Sequence, residues 1–303
     1  MTVGALDRTR RAGRVGRIQA LLWRRPWMRA ALLLGPGLTW FVVIYLASLV
    51  LLLITAFWQI NPFTTAIERV WNIDNFRTLV TDGTYRLIIL RTIGLAVAVT
   101  LTDAVLAFPF AYYMARVASR RVQTALFAAV LLPLWASYLA RVYAWILILN
   151  HDGVLNWSLL LVHLPPASLG YTNWAMWIVF SYIWLPFMII PTYAALERIP
   201  QSFLEAAADL GARQGRTTWD VILPLALPGI VAGSIFTFSL TLGDYVTPLL
   251  VGGAGSSFIG NVVYGNVGIA HNIPFAAALA VVPVAVMALY LLGARRLGAF
   301  EAM

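Results

Sequence analysis

Six long apolar runs separated by shorter polar segments dominate the chain, at 30–58, 87–116, 122–149, 173–196, 224–250 and 274–296. Each is long enough for the roughly 20 apolar residues that carry an α-helix across a bilayer core. The pattern predicts an all-α polytopic membrane protein with six transmembrane helices. The first run follows an arginine-rich stretch and is too long for a signal-peptide core, with no small-residue cleavage site, so it reads as a retained helix. The expected organisation is a basic segment, 1–29, followed by a single transmembrane domain, 30–303.

Composition sharpens this reading. Hydrophobic residues make up 61% of the chain and charged residues 11%, against about 25% charged in soluble domains. There is no cysteine, which excludes disulfides, thiolate metal sites and cysteine nucleophiles. His151, His163 and His271 are scattered without metal-ligand spacing. All 21 basic residues are arginine and the net charge is +9, but their distribution favours a membrane surface over nucleic acid. Eight lie in 1–29, with Arg116, Arg120, Arg121, Arg198, Arg213, Arg216, Arg295 and Arg296 on the same side of a six-span chain. The opposite loops hold Arg69, Arg77 and Arg86. The positive-inside bias then predicts cytoplasmic termini, and the basic N-terminus suits anionic membrane lipids. The polar segment 59–86 becomes an external loop.

This orientation places 197–223 in the cytoplasm, where a short charged hairpin interrupts the apolar pattern. Ser202 and Glu205 have the S-x-x-E spacing of a capping box. Gly211 suits the C′ position that ends a helix. A second helix is expected to start at Thr217 or Thr218 and to run through Leu223 and Pro224 into the fifth span. Phe203, Ala206, Ala207 and Leu210 form an apolar stripe. The pattern alone fits a docking element and an ordered loop lying on the membrane equally well.

The run Glu205-Ala206-Ala207, three residues, Gly211, nine residues, Val221-Ile222-Leu223-Pro224 resembles the EAA loop of permease subunits of bacterial ABC importers, EAA-x3-G-x9-I-x-L-P. Val221 in place of isoleucine is the one departure. Segments 133–156, 181–212 and 241–253 resemble the first permease of spermidine/putrescine-type importers. The resemblance implies a type I ABC importer permease-like fold and a non-catalytic membrane subunit that binds no cofactor. Its implied partners are a second homologous permease, a cytoplasmic ABC ATPase dimer holding ATP and Mg, and an extracytoplasmic solute-binding protein. Ser202, Glu205, Ala206, Ala207, Gly211, Leu223 and Pro224 would then couple the chain to the ATPase. Related importers carry other solutes, so a phosphonate, an opine, ferric iron or a sugar stays open beside a polyamine. A stand-alone secondary transporter fits less well, because no internal repeat is visible. An intramembrane enzyme lacks H-E-x-x-H, G-x-S-x-G or paired aspartates.

Ionisable groups inside spans usually mark a pathway or a pair. Here they are Asp103, Arg141 and Asp244. A helix rise of about 1.5 Å per residue puts Arg141 and Asp244 at matched depth if both spans are straight. Two readings follow. Asp244 accepts a substrate ammonium, helped by aromatic faces among Trp135, Tyr138, Tyr143, Trp145, Tyr182, Trp184 and Tyr245, or it pairs with Arg141. Asp103 is a third candidate along the same pathway. Gly229 and Gly233 give the fifth span a small-residue face for close helix contact, either with a second permease or within the chain.

Overall fold

A computed structural model describes residues 26–296; the greater part of the basic segment 1–29 lies outside them. The chain divides after Thr55 into two units. The first is one run of helix, α1 (Pro26–Trp40), a π-helical stretch (Phe41–Leu46) and α2 (Ala47–Thr55). It is apolar on every side, as a membrane span must be.

The second unit opens with a hairpin, β1 (Gln59–Ile60) against β2 (Ile67–Glu68), and α3 (Asp74–Thr81). The polar loop expected at 59–86 is thus ordered. Glu68 accepts hydrogen bonds from Asn61 Nδ2 at 2.7 Å and Gln59 Nε2 at 3.0 Å. These donors hold its carboxyl below the ordinary value of 4.5. A depressed folded-state pKa adds stability above that ordinary value and loses it as pH falls through the lower one. Protection factors across 59–68, which take out the intrinsic slowing of exchange at low pH, are therefore expected to fall on acidification below pH 4.5, and Glu68→Gln is expected to flatten that dependence.

Then come α4 (Gly83–Tyr112), continued by a π turn (Tyr113–Val117), α5 (Arg120–Trp135), α6 (Tyr138–Leu149) and α7 (Val154–Leu161). The long α8 (Asn173–Glu197) follows. Asp82 caps α4 by accepting from Thr84 N–H at 2.7 Å, and Thr172 caps α8 by accepting from Ala175 N–H at 3.2 Å. After a short hairpin described below, α11 (Leu223–Gly243), α12 (Val246–Val251), α13 (Ile259–Gly268) and α14 (Ile273–Arg296) complete the unit.

Among the described residues, five helices are long and apolar enough to cross a membrane. The third expected span, 122–149, is not a straight helix: α5 and the helices after it meet at 95° across Ala136 and Ser137. Both linking residues are extended. The fifth span also stops early, at Gly243, and 246–251 forms a separate short helix.

Helices α4, α8 and α11 form the centre, with Val99, Val179, Phe180, Ile183 and Phe258 fully buried. Gly229 and Gly233 bring α11 onto α8. A Cβ on Gly229 would stand 2.6 Å from Pro191 O, and one on Gly233 would stand 2.8 Å from Met188 Sδ. The small-residue face is therefore internal packing. Gly229→Val has no room, since the nearest neighbours include backbone, and overpacking costs about 1–3 kcal/mol or more. It is expected to reduce the amount of folded chain recovered from membranes, read by size-exclusion chromatography in detergent.

Candidate functional site: a helical hairpin and a polar junction

The hairpin between α8 and α11 starts with α9 (Gln201–Asp209). Its N-cap is Pro200 and no side chain caps it, so the Ser202–Glu205 capping box does not form; Ser202 sits two positions inside the cap. The C-terminal end matches expectation closely. Gly211 has φ +79°. Its N–H donates to Ala208 O at 2.8 Å, and Ala212 N–H donates to Ala207 O at 3.0 Å. This pair of bonds is a Schellman motif, which satisfies two of the orphan carbonyls at the helix end.

The second arm starts at Gln214, earlier than Thr217, as α10 (Gln214–Thr217). It passes through a π turn (Thr218–Ile222) directly into α11. Gln214–Gly243 is thus helical without a break. The wider turn precedes Pro224, which has no N–H to donate to the ladder. Arg116 holds the hairpin's root: its Nη2 donates to Leu196 O at 2.5 Å and Ile199 O at 2.6 Å. It thereby satisfies carbonyls that the end of α8 leaves open.

The expected apolar stripe divides. Ala207 is buried, whereas Phe203, Glu205, Ala206 and Leu210 are exposed. Trp219, from the second arm, is 71% exposed and Leu210 88%. The hairpin therefore presents apolar side chains on a stiff frame, pinned at Arg116 and continuous with α11. Leu223 is half-buried and Pro224 exposed where the frame enters α11.

The polar junction lies where the third and fifth spans break. Asp244, between α11 and α12, accepts at Oδ1 from Val246 N–H at 2.8 Å and Thr247 N–H at 3.2 Å. At Oδ2 it accepts from Thr247 Oγ1 at 3.0 Å and from the Tyr138 hydroxyl. Four donors fill the roughly four lone-pair sites a carboxylate offers. The ion pair with Arg141 is not formed; Arg141 instead sits over the Tyr138 ring, 6.0 Å from its centroid. Its Nε and Nη1 are buried without a hydrogen-bond partner, as is Trp184 Nε1.

Of the aromatic candidates, Tyr138 stacks on Trp184 at 6.0 Å, Trp145 meets Tyr182 at 5.3 Å, and Tyr245 stacks on Tyr264 at 5.0 Å. Trp135 is 85% exposed at the end of α5 and Tyr143 53% exposed; neither joins this cluster. Asp103 is fully buried on α4, and among the described residues only the Ser181 hydroxyl of α8 is placed beside its carboxyl oxygens. Leaving a buried acceptor unsatisfied costs about 1–3 kcal/mol, more for a charged group. Sequence reasoning missed Thr247, Arg116 and Ser181. Thr247 was within reach, since D-x-x-T is helix-capping spacing; Arg116 and Ser181 act across long sequence separations and leave no local signal.

Residues 107–298 match the family described as binding-protein-dependent transport system inner membrane component. The chain is 46% identical to the inner membrane ABC transporter permease protein YdcU of Escherichia coli strain K12, over the full length of both. It is 34% identical to the spermidine/putrescine transport system permease protein PotB of the same strain, over 75% of this chain and 82% of that one. Among solved structures it superposes on a chain of a bacterial alginate ABC transporter in complex with an alginate-bound periplasmic protein, with a TM-score of 0.74, 21% identity, and 93% and 97% of the two chains covered. Matched along its whole length to an ABC permease and folded as an importer's membrane subunit, this chain belongs to the family of inner-membrane permease components of binding-protein-dependent ABC transport systems.

Proposed function

We propose that this permease moves a small cationic solute, a polyamine such as spermidine or putrescine, into the cytoplasm, and that the α9 hairpin is where a partner ATPase drives it. The observation that carries the coupling assignment is the unbroken helix Gln214–Gly243 behind an exposed apolar hairpin. A force applied at Phe203, Ala206, Leu210 and Trp219 passes to the membrane helices without a flexible joint. Glu205 and Ala206 face outward for contact, Ala207 anchors the helix, and Gly211 sets the turn. Arginine placement supports cytoplasmic termini, which put this hairpin on the ATPase side. ATP and Mg belong to the partner; this chain contributes no catalytic group. A second permease, an ATPase dimer and an external solute-binding protein complete the assembly, and the basic N-terminus rests on membrane lipids.

The cationic solute is supported by the likeness to PotB, a spermidine/putrescine permease by description. The likeness to YdcU is greater, and its description names no solute, which favours keeping another solute as the second reading. Uptake of labelled spermidine and putrescine, in cells with and without this chain and with its partners co-expressed, separates them. Uptake that requires both this chain and ATP supports the polyamine reading. ATPase activity indifferent to polyamines, with no uptake, sends the solute elsewhere while keeping the permease.

A further inference from the structure

Of the two aspartates within the spans, only Asp103 has unused capacity to bind. Asp244 is filled by four donors from Tyr138, Val246 and Thr247. Asp103, wholly enclosed, has only the Ser181 hydroxyl beside it. On a rise of about 1.5 Å per residue it stands roughly 30 Å from the Gly83 end of its helix and roughly 21 Å from Val117. It is therefore deep in the membrane, where an ionisable side chain is costly and tends to serve a function.

Next to it runs an open groove of about 330 Å³ along α4, α6 and α8, lined by Thr102, Trp145, Trp177, Ser181 and Tyr182. Ser181 belongs to both places, for it lines the groove and stands beside the Asp103 carboxyl. Its own hydroxyl is buried and faces that carboxyl. Trp177 spends its single donor on Thr102 Oγ1 at 3.1 Å. Three aromatic rings thus border the groove, and aromatic faces attract alkylammonium groups. Arg141 lines an adjoining groove that shares Trp145 and Tyr182, so a cation is repelled on that side and favoured on the side of Ser181.

The geometry points to Asp103, reached past Ser181 from this aromatic groove, as the carboxylate that receives an ammonium group of the transported solute. Asp244 is then a structural cap and not a binding group. Ser181 carries the smallest polar side chain lining the groove, so a modest shift between α4 and α8 opens the passage. An incoming ammonium supplies donors for the acceptor positions of the carboxylate that the Ser181 hydroxyl leaves open. This inference rests on the polyamine reading above and names the residue that reading requires.

The test uses the complete assembly in proteoliposomes, with saturating solute-binding protein, and compares uptake of putrescine with that of its uncharged N,N′-diacetyl derivative, which has no ammonium for the carboxylate to receive. Asp103→Asn keeps the shape of the side chain and removes its charge. It is expected to lower putrescine uptake by about tenfold or more at equal amounts of assembled complex, and to reduce the preference for putrescine over the diacetyl derivative. Equal losses for both solutes, with the preference intact, would mean a packing role and overturn the assignment, as would unchanged uptake. If Asp103→Asn does not assemble, Ser181→Val decides, because it closes the passage and leaves the carboxylate in place. The same loss of preference supports the site; a wild-type preference overturns it. A wild-type assembly that transports neither solute overturns the polyamine reading and this inference together, whereas amine uptake that survives in Asp103→Asn overturns this inference alone.

Discussion

Gly211→Val is expected to leave the chain in the membrane while cutting solute uptake by about tenfold or more, a loss in keeping with the large rate effects of small misplacements far from a working site. The reason is conformational. At φ +79° there is open space where a Cβ would go, so no clash arises and the penalty lies in the backbone. An L-residue in the left-handed region costs roughly 1–2 kcal/mol, and a β-branched one fits it worst. The turn would relax by giving up the Schellman bonds from Gly211 to Ala208 and from Ala212 to Ala207. Helix α9 would then hang on the second arm by a loose link. In the assembled transporter, ATP hydrolysis is expected to continue without responding to solute-loaded binding protein. Gly211→Asn is the matched control, since asparagine tolerates this conformation, and it is expected to keep uptake within about threefold of wild type. Wild-type uptake in the valine variant would remove the hairpin from the coupling path.

What could be read from the sequence follows from which interactions are local. Hydropathy and length located the membrane helices, because satisfying the backbone inside a bilayer leaves few alternatives to a long apolar helix. Gly211 was legible for the same kind of reason: a left-handed turn after an alanine-rich helix calls for glycine at one position. The bend at Ala136 and Ser137 was not legible. An apolar run looks the same whether it continues straight or turns by 95°, and Pro133 sits inside α5 without ending it. The matched depth of Arg141 and Asp244 depended on two straight helices, and both are interrupted before the residue in question. Gly243-Asp244 did carry an end signal, but it was masked by the apolar residues that continue to Leu250. The Ser202 capping box failed because Pro200, with its fixed φ, took the N-cap position first. Asp103 could be picked out as an ionisable group in a span, but that it meets only the Ser181 hydroxyl appears once α8 is packed against it.

Asp244→Asn is expected to lower stability more than it lowers transport per assembled complex. The amide keeps one oxygen, which can still accept from Val246 N–H and Thr247 N–H. Its nitrogen then faces the Tyr138 hydroxyl and Thr247 Oγ1, which now donate to Oδ2, and both must rotate to accept. Hydrogen bonds to a charged acceptor contribute about 1.5–3 kcal/mol each, so a loss of a few kcal/mol is expected. It should appear as a lower melting temperature of the purified complex. Tyr138→Phe removes one of these donors and is expected to cost about 1.5–3 kcal/mol. Because the two side chains touch, the double variant should fall short of the sum of the single ones by about 0.5–3 kcal/mol. Arg141→Gln combined with Asp244→Asn should show a smaller coupling than the Tyr138 pair, since those two side chains form no ion pair and meet only through Tyr138. Selective loss of cation uptake in Asp244→Asn, with a wild-type melting temperature, would mean that Asp244 binds the solute and that its four donors are released during transport.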